Sequence, residues 1–550
     1  MYKYVQRTTL IVNNYDAKRK NRDGDAGGMD SASAFKLNDA GPATSYKESG
    51  KIHKSPFEES EGKSSKNFTA GTLFPVYKTF ENPKVSPASV YQALRKDYGF
   101  LLESMEGSGK NARYSVIGTG LLMHLTADPL IRIKGPFNPA PEFEGAYVNA
   151  ETLHGIIRCI DYRCPDIPGY SGGIAGYFSY DLSLNTLLIK DAFDENTDFP
   201  LAEFMLCEEM IIFDHEKKTI TVLRFLYGDD LKNLEESEKN ALDKITESER
   251  KICETGKENS DDKNFVFEDE KRVLPLFLSG VSKDDFEQSV RDAKEHILNG
   301  DIFQVVVSKR CECEYQSDPF LIYLQMRRIN PSPYMYFMDF SGMQVAGASP
   351  EMLVKVEGRD VMSVPIAGTR IRGKTPEEDL ELEKELLSDK KECAEHLMLV
   401  DLSRNDIGRV CRCGSVKVFE FMKVEKFSHV QHIVSVVKGE LLDGKTSSDA
   451  FFSCFPAGTV SGAPKISAMN IINSLENTKR GLYAGAVGYI GFNENIDFAI
   501  TIRTVVIKGK KAYFQSGAGI VADSSPESEF FESENKAKSM KSAIESAGAF

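Results

Sequence analysis

From residue 72 onward, strand-like and helix-like segments mix without a regular strand–helix–strand rhythm, and this pattern constrains the fold most. The segments LLMHLT at 121–126 and TITVLRFLY at 219–227 have strand composition. The stretch 498–507 alternates apolar and polar residues and then turns at Gly509 into AYFQSGAGIV, which predicts a hairpin with Arg503 in mid-strand. We therefore predict an α+β fold with large antiparallel β-sheets.

Composition narrows the class of protein. The chain has 550 residues, 41% of them hydrophobic, enough for two domains or one large interwoven unit. A net charge of −14 argues against a nucleic-acid or membrane-lipid partner but leaves an anionic small substrate open. There is no apolar run of membrane-spanning length. The ten cysteines include no C-x-x-C pair, which predicts reduced thiols and a cytoplasmic protein.

Composition also changes along the chain. Residues 1–70 are rich in Lys, Asp, Ser and Gly and predict a flexible polar leader, whose role as a transit peptide stays open. Residues 71–228 form an N-terminal region, and 229–271 are dense in Glu, Asp and Lys, which predicts an acidic surface insert or linker. Residues 272–550 form the C-terminal region, which carries most of the motifs.

Two pairs of glutamates lie at helical spacing. Glu392 and Glu395 share one helix face, and Glu529 and Glu532 share another after a helix start at Ser525-Pro526. Half-buried carboxylates repel one another unless a cation lies between them, and Mg²⁺ prefers oxygen ligands. The spacing is equally compatible with exposed glutamates on helix surfaces.

Two glycine-rich segments and two basic side chains complete the polar candidates. The loop PAGTVSGAPK at 456–465 surrounds Thr459, and SGAGI at 516–520 follows a strand; backbone N–H groups in either can bind an anion. The planar fork of Arg503 suits a carboxylate, although an ion pair with a glutamate is as consistent. His429 and His432 are three residues apart and point to opposite sides of a strand, so at most one of them faces a given cleft.

Seven motifs occur together and in order, and they closely resemble the chorismate-binding enzymes. They are PIAGTRIRG at 365–373, KECAEHLMLVDLSRNDIGRV at 391–410, PAGTVSGAPK at 456–465, YAGAVGY at 483–489, FAITIRT at 498–504, SGAGIV at 516–521 and SPESEFFESENKAK at 525–538. The N-terminal half resembles the anthranilate synthase large-subunit family in FLLES at 100–104 and GGIAGYFSYD at 172–181. The resemblance implies the chorismate-utilising fold, in which large antiparallel sheets pack as a sandwich with surrounding helices.

The resemblance also implies a role for each candidate. Glu395 and Glu532 would bind Mg²⁺, with Glu392 and Glu529 in support, and the metal would hold the ring carboxylate of chorismate. The implied substrate-binding residues are Thr369, Thr459, Tyr483, Arg503, Gly517 and Gly519. His432 would be the general acid and Glu351 an acid/base near the attacking nitrogen, with Thr459 lining the pocket.

Ala367, in the middle of the first motif, bears on the product. A lysine there suits aminodeoxychorismate synthase of the folate pathway, whereas alanine leaves ammonia as the nucleophile and implies anthranilate synthase, a lyase of tryptophan biosynthesis. The chain lacks a G-x-C-x-G nucleophile elbow, so glutamine would be used through a separate glutamine amidotransferase subunit, component II.

A second pocket is implied for tryptophan as a feedback inhibitor. Its elements would be Ser104 at the amino acid's polar end and Pro333, Tyr334 and Met335 as an apolar wall. Aminodeoxychorismate synthase component I, isochorismate or salicylate synthase, and a catalytically inactive tryptophan-binding homologue are the alternatives.

Overall fold

A computed structural model describes residues 68–105, 113–163, 172–190, 199–258, 275–427 and 430–548. The predicted leader therefore lies almost entirely outside the described residues. The strands are β1 Thr72–Glu81, β2 Gly99–Glu103, β3 Tyr114–Ala127, β4 Ile131–Lys134, β5 Asp161–Tyr162, β6 Gly173–Phe178, β7 Ala202–Asp214, β8 Thr219–Leu226, β9 Leu278–Ser279, β10 Gln304–Glu314, β11 Tyr334–Asp339, β12 Met343–Ser349, β13 Met352–Glu357, β14 Asp360–Ser363, β15 Ile366–Ile371, β16 Lys417–Lys426, β17 Val430–Glu440, β18 Gly462–Ala463, β19 Ala486–Gly491, β20 Ile496–Ile500, β21 Thr504–Lys508 and β22 Lys511–Ile520.

The α-helices lie between and after these strands. They are α1 Pro87–Leu94, α2 Ala150–Arg158, α3 Leu182–Thr186, α4 Leu234–Glu258, α5 Lys283–Asn299, α6 Pro319–Ile329, α7 Pro376–Ser388, α8 Lys390–Gly408, α9 Ser447–Cys454, α10 Gly458–Ser461, α11 Lys465–Leu475 and α12 Pro526–Ala547. None of the described helices is long and apolar enough to cross a membrane.

The prediction of large antiparallel sheets is confirmed. The described strands form one hydrogen-bonded network in which neighbouring strands are antiparallel, except for β1 and β5, which pair in parallel. Strands from the two halves of the chain are neighbours: β2 pairs with β11, and β6 pairs with β19. The central strands are buried on both faces. On β7, Met210 and Ile212 lie in one core while Ile211 and Phe213 lie in another, as the two-residue period of a strand requires.

Local signals place the helices that the sequence predicts. Helix α5 begins after Ser282, whose side chain accepts a hydrogen bond from the Asp285 N–H, and ends at Gly300 with φ 83°. Helix α8 begins after Asp389, whose carboxylate accepts from the N–H groups of Lys391 and Glu392. Helix α12 carries Pro526 in its first turn.

The segment predicted as an acidic surface insert, 229–271, is structured over its first part. Helix α4 buries Ala241, Ile245 and Ile252 against the sheet, and its Ser248 donates to Glu209 on β7. The surface prediction overlooked this face because the apolar residues are few, although they recur at helical spacing. Residues 259–271 lie outside the described residues.

The prediction for the segment around Arg503 was wrong. The chain does not run as one strand from 498 to 507: β20 ends at Ile500, β21 begins at Thr504, and Arg503 lies in the break with φ 49°. The break exists because β20 pairs with β13 and β19, whereas β21 pairs with β12 and β22. The hairpin of β21 and β22 is confirmed, with Lys508 opposite Lys511.

Candidate active site

The signature segment forms β15, and a kink in it brings two predicted residues together. Gly368 has φ 65° and interrupts the register between Ala367 and Thr369, so that Thr369 lies opposite His432 on β17. His432 Nδ1 lies 2.9 Å from the carbonyl oxygen of Gly368 and 3.1 Å from Thr369 Oγ1. Because a carbonyl only accepts, Nδ1 carries a proton, and a second proton can be exchanged at Nε2.

Glu351 follows β12 and lies in a buried environment next to Thr459. Burial raises the pKa of its carboxyl to about 7, against the opposing influences of the Thr459 hydroxyl and the charges of Lys536 and Arg503. The hydroxyl of Thr459 is buried and approaches the carboxyl without closing a hydrogen bond of normal geometry. A carboxyl that titrates near neutral pH is suited to give or take a proton.

Glu351 and Thr459 line a small cavity of about 30 Å³. Its other walls include Ser363, Pro365, Leu399 and Asp406. No lysine is among the described residues that line this cavity.

A second cavity of about 30 Å³ is lined by Tyr483, Arg480, Thr501 and Gln515, among others. A Cβ atom at Gly517 would lie 3.0 Å from the Tyr483 hydroxyl, so this position needs glycine for the close approach. The segment 516–520 was predicted to follow a strand, but it is the end of β22, with Gly517 opposite Ser308 and Gly519 opposite Val306. Beyond Phe514, β22 no longer pairs with β21. Every second N–H group on that side of β22 therefore makes no hydrogen bond to β21.

The guanidinium of Arg503 reaches two regions of the site. Its charge lowers the pKa of Glu351, and its Nη1 donates to the Asn330 side-chain oxygen at 3.4 Å. Asn330 ends helix α6 and begins the segment Asn330–Met335. Arg503 therefore connects the predicted substrate pocket with the segment predicted to bind tryptophan.

The two glutamate pairs lie on helices α8 and α12, and their charges interact. Burial, followed by the charges of Glu392 and Glu532, raises the pKa of Glu395. Burial also raises the pKa of Glu529, where the Ser524 hydroxyl opposes the rise and the charge of Glu532 adds to it. Glu529 is buried, but the side chain of Glu532 is 49% exposed, and the neighbouring Phe531 is also exposed.

Two of these glutamates form ion pairs with cationic side chains. Arg370 Nη1 lies 3.3 Å from Glu392 Oε1, and Lys536 Nζ lies 2.8 Å from Glu532 Oε1. The Lys536 charge also lowers the pKa values of Glu351, Glu395 and Glu529. Within the described ranges, no three acidic, histidine or cysteine side chains converge tightly enough to hold a metal. The four glutamates nevertheless offer the carboxylate oxygens that a hard divalent cation prefers, and their mutual repulsion favours positive charge among them.

The segments predicted to form the tryptophan pocket lie side by side. Met335 on β11 pairs with Glu103 on β2, and the Met105 N–H donates to the Ser332 carbonyl at 3.2 Å. Ser104 is half-buried between these contacts. The Tyr334 hydroxyl donates to Asp497 on β20 at 3.0 Å.

Sequence reasoning missed two buried ion pairs next to these residues. The ammonium of Lys465, at the end of the loop 456–465, donates to Asp406 at 2.9 Å. Arg480 and Glu476 form a second pair with nitrogen–oxygen distances of 2.6 and 2.8 Å. Only the i, i+4 spacing of Glu476 and Arg480 was visible in the sequence, and that spacing is usual for exposed pairs.

Comparison with known proteins gives one consistent answer. A family model described as chorismate binding enzyme matches residues 109–542. The chain is 46% identical over 453 residues to anthranilate synthase component 1 of Acetivibrio thermocellus, which covers 82% of this chain and 90% of that protein.

Solved structures give the same relationship. The crystal structure of anthranilate synthase component I from Streptococcus pneumoniae is 36% identical, with a TM-score of 0.66 over 83% of this chain and 98% of that one. The menaquinone-specific isochorismate synthase of Escherichia coli has a TM-score of 0.63 over 86% of this chain and 94% of that one, but at 17% identity it shows the fold alone.

Proposed function

Because the chain belongs to the chorismate-binding enzymes, and within them to the anthranilate synthase component I family, we propose that it converts chorismate and ammonia to anthranilate and pyruvate. This reaction commits chorismate to tryptophan biosynthesis. The observation that carries the choice of nucleophile is the lining of the cavity beside Glu351. The described lining residues contain no amine, and position 367 on the adjacent signature strand is alanine. The nitrogen is therefore supplied by free ammonia.

We propose that the two carboxylates of chorismate are bound at opposite sides of the site. Arg503, Tyr483 and the backbone N–H groups of Gly517 and Gly519 would hold the enolpyruvyl carboxylate. The planar guanidinium of Arg503 suits a bidentate carboxylate, and the Tyr483 hydroxyl already faces Gly517. Fixing the substrate in this way supplies the orientation that the reaction with ammonia needs.

The proton transfers fall to Glu351 and His432. Ammonia adds at ring carbon C2, and the Glu351 carboxylate takes the proton that the new C–N bond makes acidic. His432 acts in its imidazolium form: it keeps the Nδ1 proton on the Gly368 carbonyl and gives the Nε2 proton to the C4 hydroxyl, which leaves as water. Loss of pyruvate from the resulting intermediate makes the ring aromatic. The raised pKa of Glu351 supports its role, because both of its protonation states are populated near neutral pH.

We propose Mg²⁺ as the cofactor, held by Glu395 and Glu532 and supported by Glu392 and Glu529. When bound, the cation would neutralise these carboxylates and attract the ring carboxylate of chorismate. The residues fit this role because the half-buried carboxyl group of Glu395 and the buried one of Glu529 lie among like charges. Lys536 would have to release Glu532 for it to act as a ligand.

We propose that tryptophan inhibits the enzyme from the pocket between β2 and β11, with Ser104 at its polar end and Pro333, Tyr334 and Met335 as its wall. The pairing of these strands supports a shared pocket. Movement of the Asn330–Met335 segment would be transmitted to Arg503 through its hydrogen bond with Asn330. Inhibition would then act on the binding of chorismate.

The relatives are named as component 1, which indicates a second component, and we propose a glutamine amidotransferase subunit as its source of ammonia. A cytoplasmic location stays a prediction. The purified chain is expected to form anthranilate from chorismate with ammonium, but not with glutamine alone. Glutamine hydrolysis by the isolated chain would overturn this division of labour.

A further inference from the structure

Arg480 and Glu476 form a buried ion pair outside the residues assigned above. Arg480 is 3% exposed and Glu476 9% exposed. We propose that Arg480 is a positioning residue for substrate binding, which fixes the relative placement of Thr459, Tyr483 and the glycine end of β22. This inference rests on the proposed function.

Arg480 contacts the elements that carry three of the predicted substrate residues. Its Nη1 donates to the Val460 carbonyl at 2.8 Å, immediately after Thr459 on α10. Its Nη2 donates to the Val306 carbonyl at 2.8 Å, and Val306 lies opposite Gly519. The guanidinium also lies over the Tyr483 ring, 5.5 Å from its centroid. One planar group thus touches α10, β10 and the ring of Tyr483.

Glu476 extends the same network to Gly517. Its Oε1 accepts hydrogen bonds from the Ser308 N–H at 2.9 Å and the Ser308 hydroxyl at 2.6 Å. Ser308 lies opposite Gly517, and its hydroxyl oxygen also accepts from the Gln515 side chain at 2.9 Å. The carboxylate therefore fixes the part of β10 on which the glycines of β22 are aligned.

A gain in folding stability does not explain a buried ion pair well. Two charges lose hydration when they are buried, and an apolar pair of similar volume often gives the folded protein the same stability. The rigid fork of arginine does supply geometry, because its hydrogen bonds point in fixed directions. The effect expected of Arg480 is therefore on substrate placement, in addition to any effect on folding.

The protein contains a matched control at a distance from the site. Arg224 on β8 pairs with Glu209 on β7 at 2.8 Å, both side chains are buried, and the Ser248 hydroxyl donates to Glu209 at 3.0 Å. Arg224, Glu209 and Ser248 repeat the chemistry of Arg480, Glu476 and Ser308. None of the three belongs to the predicted substrate or effector site.

The test compares Arg480→Lys with Arg224→Lys in the full chain, measuring thermal unfolding, chorismate KM and ammonium KM. Arg480→Lys is expected to raise chorismate KM roughly tenfold, with kcat and ammonium KM changed by less than about threefold, since misplaced binding groups weaken substrate binding. Arg224→Lys is expected to leave chorismate KM unchanged even if it lowers the unfolding temperature as much.

A milder pair of variants covers the case in which Arg480→Lys does not fold. Ser308→Ala removes one donor to Glu476, and Ser248→Ala removes the corresponding donor to Glu209. Ser308→Ala is expected to raise chorismate KM about threefold or more and Ser248→Ala to leave it unchanged. Equal KM values in both serine variants, or equal increases in both, would overturn the positioning role. Absence of anthranilate formation by the wild-type chain would instead refute the proposed function.

Discussion

The buried carboxyl of Glu351 makes the stability of the protein depend on pH in a specific way. The folded protein holds this proton up to a pKa of about 7, whereas the unfolded chain ionises near 4.5. Between these values the folded state binds more protons, so stability falls as pH rises. The full penalty, reached above the folded-state pKa, is about 3 kcal/mol.

Glu351→Gln removes this titration while keeping the size of the side chain. By linkage, the wild-type penalty is about 1 kcal/mol at about pH 5.5 and about 3 kcal/mol at about pH 8.5. The stability of Glu351→Gln relative to wild type should therefore increase by about 2 kcal/mol between these pH values. Any effect of the substitution that does not depend on pH cancels in this difference.

The assay is urea unfolding of wild type and variant at both pH values, followed by fluorescence or circular dichroism. Glu314→Gln, at an exposed position on β10, is the control for loss of one negative charge. If the difference between Glu351→Gln and wild type were the same at both pH values, the argument that burial raises the pKa of this carboxyl would be refuted.

Two further perturbations test the cation and effector sites. Lys536→Gln removes the ammonium that pairs with Glu532, and titration calorimetry without substrate is expected to show Mn²⁺ or Mg²⁺ binding tightened roughly two- to fivefold, since an exposed pair contributes at most about 1 kcal/mol. Weaker binding would contradict competition between lysine and metal, and normal Mg²⁺-dependent turnover by Glu532→Gln would refute the metal assignment. Ser104→Arg and Met335→Thr are expected to raise the tryptophan concentration for half inhibition at least tenfold with little change in uninhibited kcat. Both positions belong to the proposed tryptophan pocket and neither belongs to the substrate site. Full sensitivity to tryptophan in both variants would refute the effector site.

The sequence predicted the elements whose signals are local. The hairpin turn at Gly509 was predicted from neighbouring residues and occurs as expected. The cap at Ser282 and the left-handed Gly300 depend on local signals of the same kind. Helical spacing also placed Glu392 with Glu395 on one half-buried helix face. The order of motifs was sufficient for the family, because each motif keeps its residues adjacent in the chain.

Features that depend on distant partners were not predictable in the same way. An alternating pattern from 498 to 507 gives no sign that β20 and β21 have different neighbours, and it therefore hid the break at Arg503. The i, i+4 spacing of Glu476 and Arg480 likewise gave no sign of burial, because Tyr180, whose ring lies against the guanidinium, is distant in the chain. The pair of Lys536 with Glu532 is different, because its i, i+4 spacing on one helix is visible in the sequence.

The central claim is that this chain alone joins ammonia to chorismate and releases pyruvate. The most direct measurement is the fluorescence of anthranilate when purified chain is mixed with chorismate, Mg²⁺ and ammonium, with pyruvate measured in parallel. Our account predicts that anthranilate and pyruvate form in equal amounts and that formation stops when Mg²⁺ is chelated. An aminated product that retains the enolpyruvyl group, or no product at all, would contradict it.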